Sequence, residues 1–389
     1  MTSTARGFVP ALDGLRACAA FGVLLTHAAF QTGATGPSVI GRVLGRFDMA
    51  VAVFFALSGY LLWRSHAAAA RGLAAQPSTI RYLCNRAARI LPAYWVVVVV
   101  VLAFLPEAGG GLRVWLANLG LVQVFVPLTL TNGMTQMWSL SVEVAFYLVL
   151  PVVAFGMVWL RGPRAKFRVP VLLTVAVVAL GWGFIPIPTP DGIHSDNWLP
   201  GYLPWFAAGM VVAELGVGAG PRIVRFAQHQ RVLLVIAAVA FALSATNLAG
   251  PEGLTRAQPW QFAVKIGLGA VLGFALIAPI AFSEREGHRY LGHPVMLALG
   301  RWSYGIFIWH LAVLSIVFPV FAVVPFRGSF IFVLVVTVVL TIPVASASYA
   351  LVEEPVRRAV KRWEIRRNIG GRPAITDNPS ATTATSAGS

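Results

Sequence analysis

Residues 86–106 read RAARILPAYWVVVVVVLAFLP: two arginines three apart, then an uncharged run from Ile90 to Pro106. A helix needs about 20 mostly apolar residues to cross a bilayer, and this stretch supplies most of that length beside a basic flank. The pattern recurs along the chain in both directions. Of 389 residues, 58% are hydrophobic and 11% charged, where a soluble domain is roughly a quarter charged. The sequence therefore predicts an all-α, polytopic membrane bundle of ten spans. They fall at 14–32, 48–64, 90–106, 137–160, 169–187, 200–217, 231–249, 261–282, 303–324 and 329–351. The stretch 112–128 is apolar but interrupted by Asn118, Gln123 and Pro127, and is expected as an interfacial or re-entrant helix.

Charge orders these spans. The chain has 30 Lys+Arg against 14 Asp+Glu, a net charge of +16 that in a soluble protein would point to nucleic acid. Here the basic residues sit between apolar runs. With a cytoplasmic N-terminus, 24 of the 30 fall on the inner side, including the runs Arg64–Arg89 and Arg161–Arg168 and the tail from Arg357. That is the positive-inside bias, and it predicts a multi-pass protein of the cell membrane with both termini cytoplasmic and lipid, not nucleic acid, around it. The first apolar run is expected to be a retained helix, since Asp13, Arg16 and His27 interrupt it. Residues 1–369 are expected as one membrane domain and 370–389 as a disordered cytoplasmic tail. Two cysteines exclude a disulfide framework, and no metal-ligand spacing occurs, so no metal is expected.

Ionisable and polar residues inside spans mark a function or a buried pair. Arg16 and His27, eleven residues apart, share a helix face about 16 Å apart along the axis. Arg16 lies toward the inner surface and His27 beyond the midplane, where an imidazole can serve as a base or simply be satisfied by a neighbouring helix. Ser139, Glu143 and Tyr147 recur every four residues as a polar stripe. Glu143, at a depth similar to His27, could orient that imidazole as the acid of a Ser-His-Asp relay does, or make a structural contact with an Arg or Tyr. Arg86 and Arg89 point the same way, which suits bidentate phosphate binding, although ordinary topological charge is the simpler reading. Cys84 beside them is read as inert or lipidated. Ser303 and His310 are nearly co-facial, as tunnel lining or as helix-packing contacts, and Ser58-Gly59 reads as a close-packing pair. His194, Ser195 and Asp196 are read as solvated loop residues.

These residues stand in a recognisable order. Leu12-Asp13-Gly14-Leu15-Arg16 leads to His27, followed by Phe54-Phe55-Ala56-Leu57-Ser58-Gly59-Tyr60. Then come Arg86-x-x-Arg89-Ile90-x-Pro92-x-Tyr94, Trp138-Ser139-Leu140-x-x-Glu143-x-x-Phe146-Tyr147, Ser303-Tyr304 with Trp309-His310, and Glu353-Glu354-Pro355. The set resembles the acyltransferase family 3, integral-membrane O-acyltransferases, over residues 8–360. The resemblance implies transfer of an acyl group, often acetyl, from acyl-coenzyme A (acyl-CoA) to a hydroxyl of a sugar, glycolipid, cell-wall polymer or macrolide. It makes His27 the candidate base with Arg16 its motif partner. Arg86 and Arg89, with Arg16, become candidate contacts for the coenzyme A phosphates, and Glu143 part of the reaction centre. Asp13, Ser58, Ser139, Tyr147, Ser303 and His310 are the remaining candidates for lining the substrate path, with Tyr147 also a candidate oxyanion donor.

Two other classes fit the residues taken alone. A carrier moving protons or an anionic solute would also bury His and Glu, but would not need the arginine pair. A catalytically silent partner of an envelope or antibiotic-pathway complex is the third reading.

Overall fold

The computed structural model describes residues 9–253, 255–283 and 288–370, and these are helical with turns and loops between the helices. In chain order the helices are α1 (Pro10–Gln31), α2 (Val39–Gly45), α3 (Ala50–Ala70), α4 (Thr79–Phe104), α5 (Leu112–Leu119), α6 (Met137–Gly156) and α7 (Arg168–Ala179). They continue as α8 (Leu199–Gly218), α9 (Pro221–Gln228), α10 (Gln230–Ser244), α11 (Pro259–Ala281), α12 (Pro294–Val320), α13 (Phe330–Ser348) and α14 (Glu354–Gly370). The tail beyond Gly370, Arg6 and Arg285 lie outside the described residues.

Six helical segments are long and apolar enough to cross a membrane: α4, α6, α7 with its flanking 3-10 turns, α11, α12, and α13 continuing into α14. A seventh is the pair α9–α10, bent by 67°. The protein is thus a multi-pass membrane protein. Ten spans exceed that number for a physical reason. The expected spans in α1, α3 and α8 are helices of 22, 21 and 20 residues, but they carry the polar side chains. Arg16 and His27 lie in α1, Arg64 and His66 in α3, and Glu214 in α8. The segment 231–249 is α-helical only to Ser244 and ends in a 3-10 turn, Asn247–Ala249. The stretch 112–128, expected as an interfacial or re-entrant helix, is helical only over the short α5 and continues as irregular loop.

Helix ends differ from the apolar runs where caps lie outside them. Ser78 accepts a hydrogen bond from the Arg81 amide, so α4 begins eleven residues before Ile90 and carries Arg86 and Arg89 on its first turns. Likewise α12 starts at Pro294, behind His293, whose side chain caps the Val295 amide.

α12 is the central helix, with 67% of its most apolar stretch buried, whereas α7 is peripheral at 11%. Exposed side chains such as Val177, Val178, Leu234 and Val235 face outward, as lipid contact requires. Four glycine contacts set the spacing around α3 and α1. A Cβ on Gly59 would run into the Phe206 carbonyl, and one on Gly209 into the Ala56 carbonyl, so α3 and α8 touch backbone to backbone. Gly300 meets the Asp13 carbonyl, and Gly14 the Leu291 carbonyl, fixing α1 against α12.

A buried charge cluster ties α3, α7 and α8. Glu214, fully buried, accepts from Arg168 Nε (2.6 Å), Arg71 Nη1 (2.6 Å) and Trp63 Nε1 (2.7 Å). The Arg168 guanidinium lies 5.1 Å from the Trp63 ring centroid. At the other end of α3, Thr26 donates to the Gly45 carbonyl (2.9 Å) and Lys265 pairs with Asp48 (2.5 Å). The 194–196 loop is more tied down than its sequence implies, because Ser195 is buried and Asp196 pairs with Arg256 (2.8 Å).

Candidate active site

The early turns of α1 and α4, the middle of α3 and α6, and α12 line a partly open cavity. Arg16, Arg86 and Arg89 line it. None of the three forms an ion pair among the described residues. Arg86 Nε is buried without a hydrogen-bond partner, while its guanidinium sits 6.0 Å from the Tyr147 ring centroid. Three convergent arginines without an ion pair leave an anion site open, because clustered like charge is unfavourable until an anion enters. Glu353, 4% exposed at the end of a π-helical turn (Tyr349–Glu353), is the acid in longer electrostatic range of Arg16 and Arg89, and its Oε1 has no bond.

Farther along α6 the polar stripe faces the same cavity: Ser139, Glu143 and Tyr147 all line it. Glu143 Oε1 accepts from Ser58 Oγ (2.5 Å) and from Tyr147 OH (2.6 Å), leaving Oε2 without a bond among the described residues. The sequence reads Ser58 with Gly59 as a packing pair and, through the family resemblance, as a candidate for lining the substrate path, and Ser58 does line the cavity. Gly59 does pack, but Ser58 spans to α6 and holds the carboxylate. Tyr147, considered as an oxyanion donor, has its hydroxyl proton committed to Glu143. Tyr304 also lines the cavity, and its hydroxyl donates to the Ile90 carbonyl (2.9 Å), joining α12 to α4 beside the arginines.

The cavity reaches Phe54 and Phe307, whose rings meet at 5.9 Å between centroids and 66° between planes. Behind them stands a histidine pair. His310, fully buried, places Nε2 3.1 Å from His27 Nδ1, and the Phe307 ring lies 6.0 Å from the His310 ring. His27 therefore has His310, not Glu143, as its hydrogen-bond partner, which corrects the relay expected from sequence: helix depth placed the two residues level, but Glu143 turns toward α3. Neither His27 nor His310 lines the cavity.

The remaining candidates are placed as follows. Ser303 is buried and bonds back to the Gly300 carbonyl (2.8 Å), and Asp13 lies at the α1–α12 crossing; neither lines the cavity. Cys84 is exposed on α4. Phe307, Tyr304 and Gln136 were not singled out from sequence as site residues. Phe307 was findable, being one helical turn before His310.

The family profile of the acyltransferase domain of acyltransferase family 3 matches residues 9–347. The chain is 25% identical to the peptidoglycan O-acetyltransferase OatA of Listeria monocytogenes, over 92% of this chain and 57% of that protein. It is 29% identical to the acyltransferase MdmB of Streptomyces mycarofaciens, over 79% of each. The chain thus spans little more than half the length of the first of these relatives. No solved structure is a significant match. A cavity headed by three unpaired arginines, the six motifs in order and a profile covering most of the sequence agree, and the chain belongs to the acyltransferase 3 family of membrane O-acyltransferases.

Proposed function

We propose that the protein transfers an acyl group, acetyl in the simplest case, from acyl-CoA to an acceptor hydroxyl, with His27 as general base. The observation that carries this is the cavity itself, which joins three uncompensated arginines to a carboxylate held by Ser58 and Tyr147. Coenzyme A is a polyanion with a long flexible arm, and its phosphates suit Arg16, Arg86 and Arg89. The pantetheine arm then lies along the stripe of Ser139 and Glu143 toward Phe54 and Phe307. Separation of Phe54 from Phe307 brings the thioester to His27. The acceptor oxygen attacks the acyl carbon while His27 takes its proton; the C–O bond forms, the C–S bond breaks, and the departing thiolate recovers the proton as coenzyme A thiol.

The topology that fits is ten spans with both ends of the chain on the cytoplasmic side of the cell membrane, since the arginine end then faces the cytosolic donor. Residues 1–369 form the transferase domain and the remainder its tail. OatA is named for peptidoglycan O-acetylation and MdmB as an acyltransferase, so a glycan, glycolipid, cell-wall polymer or macrolide hydroxyl is the acceptor class proposed. The deciding experiment compares envelope glycans, lipids and secreted metabolites by mass spectrometry with the gene intact, deleted and restored as His27→Ala. An acyl-sized mass present only with the intact gene supports the reading. Its persistence with a folded, donor-binding His27→Ala protein would remove His27 from the role of base.

A further inference from the structure

His310 lies one helical turn from Phe307 in α12 and is itself 0% exposed. Its Nδ1 lies 2.7 Å from the Phe307 carbonyl and 3.1 Å from the Ile306 carbonyl. Carbonyl oxygens only accept hydrogen bonds, so Nδ1 carries the hydrogen. In the neutral ring Nε2 is then bare and can only accept. The 3.1 Å contact between His310 Nε2 and His27 Nδ1 needs one hydrogen, and it sits on His27 Nδ1. The consequence falls on the far side of the His27 ring: its Nε2 has no hydrogen and presents a lone pair. His27 keeps partial exposure where His310 has none, so a reactant can reach His27 alone.

Two further contacts hold this register. Gln136, at the start of α6, donates from Nε2 to the Ile308 carbonyl (3.1 Å) and the Phe307 carbonyl (3.4 Å), pinning the same turn of α12 that orients His310. Gly300 against Asp13 fixes α1 to α12, and with it the spacing of the two rings.

We infer that His310 is a positioning residue for the transfer: it locks His27 in the tautomer whose bare Nε2 receives the acceptor's proton. As His27 is protonated, its Nδ1–H bond to His310 Nε2 strengthens, and the charge is shared with a second imidazole whose Nδ1–H already points at two carbonyls. A buried histidine thus fills the place that a carboxylate holds in a Ser-His-Asp relay. The inference rests on His27 being the base.

The test uses the full chain in lipid nanodiscs. In 15N-histidine-labelled wild-type protein, nitrogen chemical shifts should report His27 with Nδ1 protonated and Nε2 bare. His310→Ala should give a mixture of His27 tautomers and slow thiol release from acetyl-CoA, with water as surrogate acceptor, by about 10²–10⁴-fold at unchanged acetyl-CoA affinity. His310→Gln retains an oxygen that accepts from His27 Nδ1–H, and should recover the wild-type tautomer and most of the rate. A wild-type spectrum with His27 Nε2 protonated would overturn the inference whatever the variants do. So would undiminished turnover in His310→Ala, or a His310→Gln protein that binds acetyl-CoA yet is no faster than His310→Ala. Full activity in His27→Ala would instead defeat the base assignment while leaving the wild-type tautomer intact, so the two failures are distinguishable.

Discussion

Two arginine clusters in this bundle use the same side chain to opposite ends. Around Glu214, Arg71 and Arg168 each lie 2.6 Å from a carboxylate oxygen, and Trp63 completes the shell. Around the cavity, Arg16, Arg86 and Arg89 gather with no ion pair among the described residues. A buried charge that is paired and fully bonded is part of the scaffold. One left unpaired against a cavity raises the energy of the empty protein, and a polyanion entering there removes that cost. The first cluster joins α3, α7 and α8; the second is an incomplete salt bridge awaiting its other half.

The largest effect that could break this contrast belongs to Glu214. Glu214→Gln leaves the buried Arg168 and the partly buried Arg71 without their counter-charge and should cost about 3–5 kcal/mol, read as a clear fall in thermal midpoint in detergent. An unchanged midpoint would mean the cluster is not structural. Arg89→Ala should do the reverse: hold or raise the midpoint, by relieving repulsion, while weakening acetyl-CoA binding about 10–100-fold by calorimetry, the worth of a charge-assisted bond. Unaltered affinity would erase the distinction from the other side. Ser58→Ala, which removes one of the two bonds to Glu143 Oε1, should slow turnover about tenfold with little change in donor affinity. A matching loss of affinity would instead make Glu143 part of the phosphate end. The smallest effect is screening: raising salt from 0.05 to about 0.5 M should weaken acetyl-CoA binding several-fold and leave the Glu214-dependent midpoint alone.

How far the sequence carried depends on range. The helices at 90–106, 137–160 and 261–282 were legible because an uncharged run of that length has few alternatives, whereas the expected helix over 112–128 gives way to loop after Leu119. The stripe Ser139–Glu143–Tyr147 was legible from helical periodicity within one segment. Which helix each polar residue would meet was not. Glu143 and His27 lie at similar depth, yet Glu143 turns to Ser58 on α3 while His27 turns to His310, and those choices follow from where Gly59 and Gly300 let backbones close. Periodicity fixes a face; it does not say which neighbour the face will find. Arginine pairing was hidden for the same reason, since Glu214 is 46 residues beyond Arg168 and 143 beyond Arg71 in sequence, depending on nothing local.

The contact between Phe54 and Phe307 bears on the energy economy of the cell as well as on the reaction. A membrane that stores a proton gradient cannot carry a continuous file of titratable groups from one face to the other, because protons would hop along it. This bundle contains most of such a file: Glu143 and Tyr147 on one side, His27 and His310 on the other. Phe54 and Phe307, rings with no exchangeable proton, line the cavity together with Glu143 and Tyr147, while His27 and His310 do not line it, so the file is interrupted where the cavity ends.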